Sequence, residues 1–212
     1  MYRCDTSQID LHPSDPRGDT AQMSRRSGVL ELAVLGLLHE SPLHGYELRK
    51  RLSALFGPVR RISYGSLYPC LKDLVTSGLI AEDETASAVG VGKRGRTVYK
   101  LTAEGKERLQ EQLGDHGPAA WEDDSFGVRL AFFAQTDADV RLKILEGRRS
   151  RLEERQAKVT TAFSRTREKL DRYTLELQKH GLESVEREVR WLNELIATER
   201  AGVTARPRST TK

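Results

Sequence analysis

The chain has 212 residues, 37% of them hydrophobic and 31% charged, with a formal net charge of +4; this supports one domain with an appendage or two small ones, and excludes wholesale disorder. The longest apolar run, residues 29–38, is interrupted by Glu31 and is far shorter than a bilayer span of about 20 residues, and the Asp-rich stretch before it is no secretory signal, so a cytoplasmic protein is expected. Cys4 and Cys70 alone cannot build a disulfide framework or a four-cysteine zinc site; the five histidines lack metal-ligand spacing, and no phosphate loop or nucleophile elbow is present, so neither enzyme nor cofactor is expected.

Residues 1–27 are rich in Asp, Ser, Pro and Gly and read as a mobile extension, within which Met23 offers an internal start of translation. From Val29 to His39 the apolar residues wrap all round a helix, the mark of a buried element. Ser41-Pro42 is expected to open a second helix with Tyr46, Leu48, Leu52, Leu55 and Phe56 on its apolar face. A third falls within Ser63–Ser77, where Leu67, Leu71 and Leu74 share one face and Gly78 is the stop. Pro69 is tolerated only in a first turn, which leaves open whether that helix begins near Ser66 or starts distorted.

Two strands are expected next, Leu79–Glu82 and Thr97–Leu101, joined by a glycine-rich basic connection, followed by a helix capped by Thr102 and running to about Leu113. Three helices, a hairpin with a basic tip and a further helix are the order of a winged helix-turn-helix. The basic excess fits. Residues 24–114 hold fourteen basic and ten acidic side chains, against two and four before them and nineteen and seventeen after them.

Residues 118–134 are a candidate linking helix with Trp121, Phe126, Leu130, Phe132 and Phe133. Beyond it, residues 137–179 carry a heptad-like seam. Leu145, Leu152, Val159, Thr166 and Tyr173 occupy one position of it, and Arg149, Gln156, Phe163, Leu170 and Leu177 the other. Gly181 is expected to break this helix, with Leu182, Val185, Val189, Leu192 and Ile196 continuing in a last one. Such a seam needs a partner. Residues 202–212 read as a disordered tail.

In residues 29–113 the chain resembles the PadR-type bacterial transcriptional regulators, in their longer class with a large helical C-terminal part. The resemblance rests on Leu35-Gly36-Leu37-Leu38 with His44-Gly45-Tyr46-Glu47-Leu48, on Tyr64-Gly65-Ser66-Leu67-Tyr68-Pro69 with Gly78-Leu79-Ile80, and on Tyr99-Lys100-Leu101-Thr102 with Gly105. Cys70, and a wing that is longer and richer in glycine, depart from the family pattern. The resemblance implies a homodimer held by C-terminal helices that binds an inverted-repeat DNA operator, usually as a repressor relieved by a small molecule or stress signal.

The expected fold is thus mainly α with a small β-hairpin. A winged helix-turn-helix would occupy residues 28–114 and a helical, coiled-coil-like dimerisation and effector domain residues 115–201. Tyr64, Ser66, Tyr68 and Lys72 lie off the leucine stripe of the third helix and are the candidate base-reading residues, with Lys93, Arg94 and Arg96 as wing contacts. Arg49, Lys50 and Arg51 are divided between phosphate contact and plain surface, while Tyr46 and Gly45 read as structural. Dimerisation is assigned to Leu145, Leu152, Val159, Phe163, Leu170, Tyr173, Leu177, Val189, Leu192 and Ile196. Trp121, Phe126, Phe133 and Trp191 either line an effector pocket or pack as core, and Cys70 is either a packed small hydrophobe or a redox sensor. A winged-helix protein-interaction module that never touches DNA is the rival reading.

Overall fold

The computed structural model describes residues 16–56, 64–83, 97–166 and 171–205, without the side chains of 16–26, 64, 162–166 and 203–205. Helix α1 spans Pro16–Glu40, so residues 16–27, expected as an extension without regular structure, belong to a helix. Pro16 stands where a helix tolerates proline best, and the segment propagates from the firmly packed turns at Val29–Leu38, which removes its nucleation penalty. Those packed turns are the axis of the first core: Ala33, Val34 and Leu35 are fully buried, and Leu32, Leu37 and Leu38 nearly so.

The second helix starts later than Ser41-Pro42 suggests. Leu43–His44 form a short strand, β1, and helix α2 covers Gly45–Phe56. Strand β3 (Val98–Leu101) supplies the reason: it pairs antiparallel with β1, Leu43 opposite Tyr99, and with β2 (Ile80–Asp83), Ile80 opposite Leu101. The sheet therefore has three strands in the order β1-β3-β2, one more than the expected hairpin. The connection between β2 and β3, which carries Lys93, Arg94 and Arg96, lies outside the described residues.

Helix α3 covers Tyr64–Thr76 with Pro69 inside it. The missing proline N–H leaves the Gly65 carbonyl without its usual i+4 donor, a penalty that the burial of Leu67, Leu71 and Leu74 offsets. The helix ends in a Schellman motif: Gly78 adopts φ +71°, its N–H donates to the Val75 carbonyl (3.0 Å), and Leu79 N–H reaches the Leu74 carbonyl (2.9 Å). Helix α4 (Ala103–Gly114) follows β3 with Thr102 as its N-cap. The Thr102 hydroxyl accepts from Gly105 N–H (3.0 Å) and lies 2.8 and 2.9 Å from the Gly78 and Leu79 carbonyls, which ties the start of α4 to the end of α3. Gly105 is required there, because a Cβ would come within 2.0 Å of the Leu79 carbonyl oxygen.

The linking segment is a 3₁₀ turn at Pro118–Trp121, helix α5 (Asp123–Ala131) and a second 3₁₀ turn at Phe133–Gln135, not one helix. Its Val128 and Phe132 complete the first core, and the Phe132 ring lies so close to Gly36 that a Cβ would approach to 2.4 Å. Helices α6 (Ala138–Thr166) and α7 (Arg172–Ala205) then form an antiparallel pair. The break falls before Arg172, not at Gly181, which sits inside α7. Asp171 explains this: its carboxylate accepts from the N–H groups of Tyr173 (2.9 Å) and Thr174 (3.1 Å), a strong start signal. One interior glycine weakens a helix by only about 1 kcal/mol. Residues 206–212 lie outside the described residues, and 202–205, expected as tail, belong to α7.

The second core gathers Ala120, Phe126, Ile144, Leu145, Leu152, Leu192 and Ile196. This corrects the seam assignment in part. Leu145, Leu152, Leu192 and Ile196 are buried by the chain itself, because α7 folds back on α6 and covers them, and Val159 and Val189 are half-buried. Of the other dimerisation residues, Tyr173 is 82% and Leu177 67% exposed, while the Phe163 side chain and Leu170 lie outside the described residues. Ion pairs close the helical pair along its length: Arg141–Glu199 (2.7 Å), Arg148–Glu188 (2.8 Å) and Arg200–Glu146 (2.5 Å).

Candidate nucleic-acid interface

The leucine periodicity that buries one side of α3 dictates what the opposite side presents. Leu67, Leu71 and Leu74 point into the core, and Ser66, Tyr68, Pro69, Lys72 and Asp73 are exposed. The Tyr64 side chain lies outside the described residues. In α2, Gly45, Leu48 and Leu52 are buried while Tyr46 and Lys50 face outward and Arg49 is half-buried. The two helices meet where the Tyr68 hydroxyl stands 3.4 Å from the place of a Gly45 Cβ and the Tyr99 ring 3.5 Å from it, an ordinary packing distance. Gly45 is buried as a structural residue would be, though its contacts leave room for a Cβ, and Tyr46, expected as structural, is 62% exposed. The signal was available, since Tyr46 falls off the Leu48/Leu52 face.

Charge on this surface is selective. Arg51 is engaged by Glu47 (3.0 Å) and Glu40 (3.7 Å), which makes it a brace within the domain and no candidate for an external anion. Lys100 on β3 pairs with Asp83 (3.6 Å). Burial, reinforced by Glu82 and Tyr68, holds the Tyr99 hydroxyl above the usual tyrosine range and hence neutral. The outward cations of α2 and α3 among the described residues are thus Lys50 and Lys72, on the same helices as the exposed Tyr46 and Tyr68. Lone-pair and donor groups for base edges come from Ser66 and Tyr68. The Cys70 thiol is pushed up to about 12 by burial, with Glu31 and Asp73 adding to it, so it stays protonated and packs against the first core as a small hydrophobe.

Behind this surface, Arg129 of α5 closes the C-terminus of α4. Its guanidinium donates to the Gln112 and Asp115 carbonyls (2.7 and 2.8 Å) and to the Asp115 carboxylate (3.1 Å), the favourable placement of a cation at a helix C-terminus. Its burial lowers its affinity for a proton, opposed by Asp115. A cavity of about 690 Å³ opens beside it between α1, α4 and α5. None of Trp121, Phe126, Phe133 and Trp191 lines it. Phe126 and Trp191 instead meet edge to face (centroids 6.3 Å apart) and Arg148 stacks 5.3 Å over Phe126. The Trp121 ring sits on Gly147 of α6, and Phe133 packs against the second core, so the effector-pocket assignment of these four gives way to packing.

Residues 34–111 match the sequence model of the Transcriptional regulator PadR-like family. Over these residues the chain is similar to that family. The matched stretch holds the buried end of α1, the whole of α2 and α3, the sheet and most of α4, and the family is one of transcriptional regulators and not of enzymes. A curated relative, the negative transcriptional regulator PadR of Bacillus subtilis strain 168, is 32% identical over 90 residues. That match takes in 42% of this chain and 48% of the relative, so the chain spans about half the length of the relative. Solved structures include Bacillus subtilis PadR in complex with operator DNA (21% identical, 81% of this chain and 99% of that one, TM-score 0.40). A transcriptional regulator from Thermoplasma acidophilum is 30% identical over 40% of this chain and 75% of its own, TM-score 0.34. Beyond the PadR-like segment, among the described residues no helix is long and apolar enough to cross a membrane.

Proposed function

We propose that the chain is a sequence-specific DNA-binding repressor that works as a homodimer on an inverted-repeat operator in the cytoplasm and is relieved by a small-molecule or stress signal. The observation that carries the reading is the outward sides of α2 and α3 in the PadR-like segment: Ser66 and Tyr68 are exposed, as are Lys50 and Lys72, on helices whose leucine sides are locked into the core. A rigid scaffold that presents hydrogen-bonding groups and cations together suits major-groove readout, the former reading base edges and the lysines holding phosphates. Lys93, Arg94 and Arg96 would extend the electrostatic grip from the wing.

The dimer follows from what the helical half leaves uncovered. Tyr173 and Leu177 lie one turn apart on α7 and are, among the described residues, the most exposed large apolar side chains of that half; a second copy would cover them. Two DNA-reading faces related by a two-fold axis would then meet successive major grooves about one helical turn, roughly 34–36 Å, apart. The supporting experiment is selection of bound fragments from host genomic DNA by the full chain, followed by footprinting. A protected inverted repeat carrying two chains is the expected result; binding with no preferred sequence contradicts the reading.

A further inference from the structure

We propose that Gly65 and Pro69 of α3 together read one A·T base pair in the major groove: the adenine amino group donates to the Gly65 carbonyl, and the thymine methyl packs against the Pro69 ring. The inference deepens the DNA-binding reading above and rests on it. Ser66, Tyr68 and Lys72 bring side chains suited to DNA. Gly65 and Pro69 bring none that can hydrogen-bond, and it is the backbone between them that makes the site.

The helix sets their place. At roughly 100° per residue, Gly65, Pro69, Lys72 and Thr76 fall within about 60° of one another. They lie opposite the buried Leu67, Leu71 and Leu74, and all four are exposed. The N-terminal part of this strip carries no long side chain, so the helix backbone can approach a surface more closely there than at Lys72. Thr76, at the far end, turns its hydroxyl back onto the Lys72 carbonyl (2.8 Å), which commits that proton within the helix.

Pro69 decides what the bare stretch offers. It lies inside α3 and has no N–H to give the Gly65 carbonyl one turn before it. Its ring also crowds that carbonyl and turns it away from the helix axis. Because Gly65 stands on the outward side, the turn is away from the core, and Gly65 has no Cβ to cover its own oxygen. A backbone acceptor is thereby presented one turn from an exposed apolar ring.

The chemistry of base edges selects what such a pair of groups takes. In the major groove an A·T pair shows the adenine amino donor and the thymine methyl; a G·C pair has an amino donor on cytosine but no methyl, and the guanine O6 and N7 acceptors repel a carbonyl. An acceptor beside an apolar ring therefore matches A·T. The placement agrees, since the N-terminal residues of a helix-turn-helix recognition helix are those that meet base edges, and Gly65 and Pro69 fall in the first half of α3.

The test uses the full-length chain and the operator recovered by selection and footprinting. At each A·T pair, adenine is replaced by unsubstituted purine, which lacks the amino group, and separately thymine by uracil, which lacks the methyl. One pair in each half-site is expected to respond to both, with affinity falling about three- to tenfold for purine and about fourfold for uracil. Pro69→Ala restores the missing N–H and removes the ring. It favours the helix, so its urea midpoint should equal or exceed that of the wild type. On the natural operator it should bind at least about tenfold more weakly, and both responses should disappear at that pair. Lys72→Ala should weaken binding and keep both responses. Absence of a pair that responds to both substitutions overturns the assignment, as do responses that persist in Pro69→Ala or vanish in Lys72→Ala. A chain that selects no DNA sequence overturns the regulator reading and this assignment with it, so recovery of an operator tells the two failures apart.

Discussion

The two halves of the chain close their cores in different ways. In the winged-helix half, residues from α1 to α4 bury one another, and the sheet and the Thr102 cap lock the far end, so among the described residues only Tyr46 and Tyr68 of its large apolar side chains stay exposed. In the helical half a single antiparallel pair does the work. Its core, from Ala120 to Ile196, is small, its length is stitched by ion pairs, and the beginning of α7 leaves Tyr173 and Leu177 in water. The winged-helix half thus closes its core within one chain, and under the proposed dimer the exposed pair on α7 is what a second copy would cover.

The joint between the halves should give the largest effect. Phe132→Ala removes a fully buried ring seated on Gly36 and is expected to cost about 3–5 kcal/mol in urea unfolding. Retention of wild-type stability would show that the two halves do not share the first core. Arg129→Met removes the cation at the end of α4 and leaves the Gln112 and Asp115 carbonyls without their donor, a loss of about 1–3 kcal/mol. Its unfolding should separate into two transitions if Arg129 is what couples the halves.

Tyr173→Ala with Leu177→Ala should leave monomer stability within about 0.5 kcal/mol and shift sedimentation toward the monomer. An unchanged dimer would move the interface elsewhere. The smallest effect is in acid. The hydrogen bond from Arg148, with burial opposing it, holds Asp123 below the usual carboxylate range. Its folded pKa is depressed, so its contribution is present above the ordinary value near 3.8 and is lost as pH falls through the lower folded value. Asp123→Asn should therefore be less stable than the wild type at neutral pH, with the difference vanishing in acid; a constant difference would assign the effect to packing.

Local patterns were legible in the sequence and non-local ones were not. The Leu67/Leu71/Leu74 stripe, the Gly78 stop and the Thr102 cap depend on neighbours within a turn or two, and all three are where the spacing places them. Strand β1 escaped notice because Leu43 and His44 are strand only through pairing with Val98 and Tyr99. The seam on α6 was legible as an apolar stripe, but its occupant, α7 of the same chain, depends on where the chain reverses. A glycine at 181 suggested the wrong place, whereas Asp171, hidden within an unbroken heptad pattern, starts the helix. Arg129 gave no sign in sequence of its role, since its partners, the Gln112 and Asp115 carbonyls and the Asp115 carboxylate, lie at the end of a different helix. Tyr46 was assigned to the interior although its spacing from Leu48 and Leu52 turns it outward.

The most direct test of the claim that the α2–α3 face binds DNA is the salt dependence of operator affinity for the wild type and for Lys50→Ala with Lys72→Ala. Each lost phosphate contact removes about 0.9 from the slope of log K against log salt, so the four contacts of a dimer predict a slope shallower by about 3.6, with the preferred sequence unchanged. A slope identical to that of the wild type would contradict the account, because it would mean that this face does not meet the phosphates.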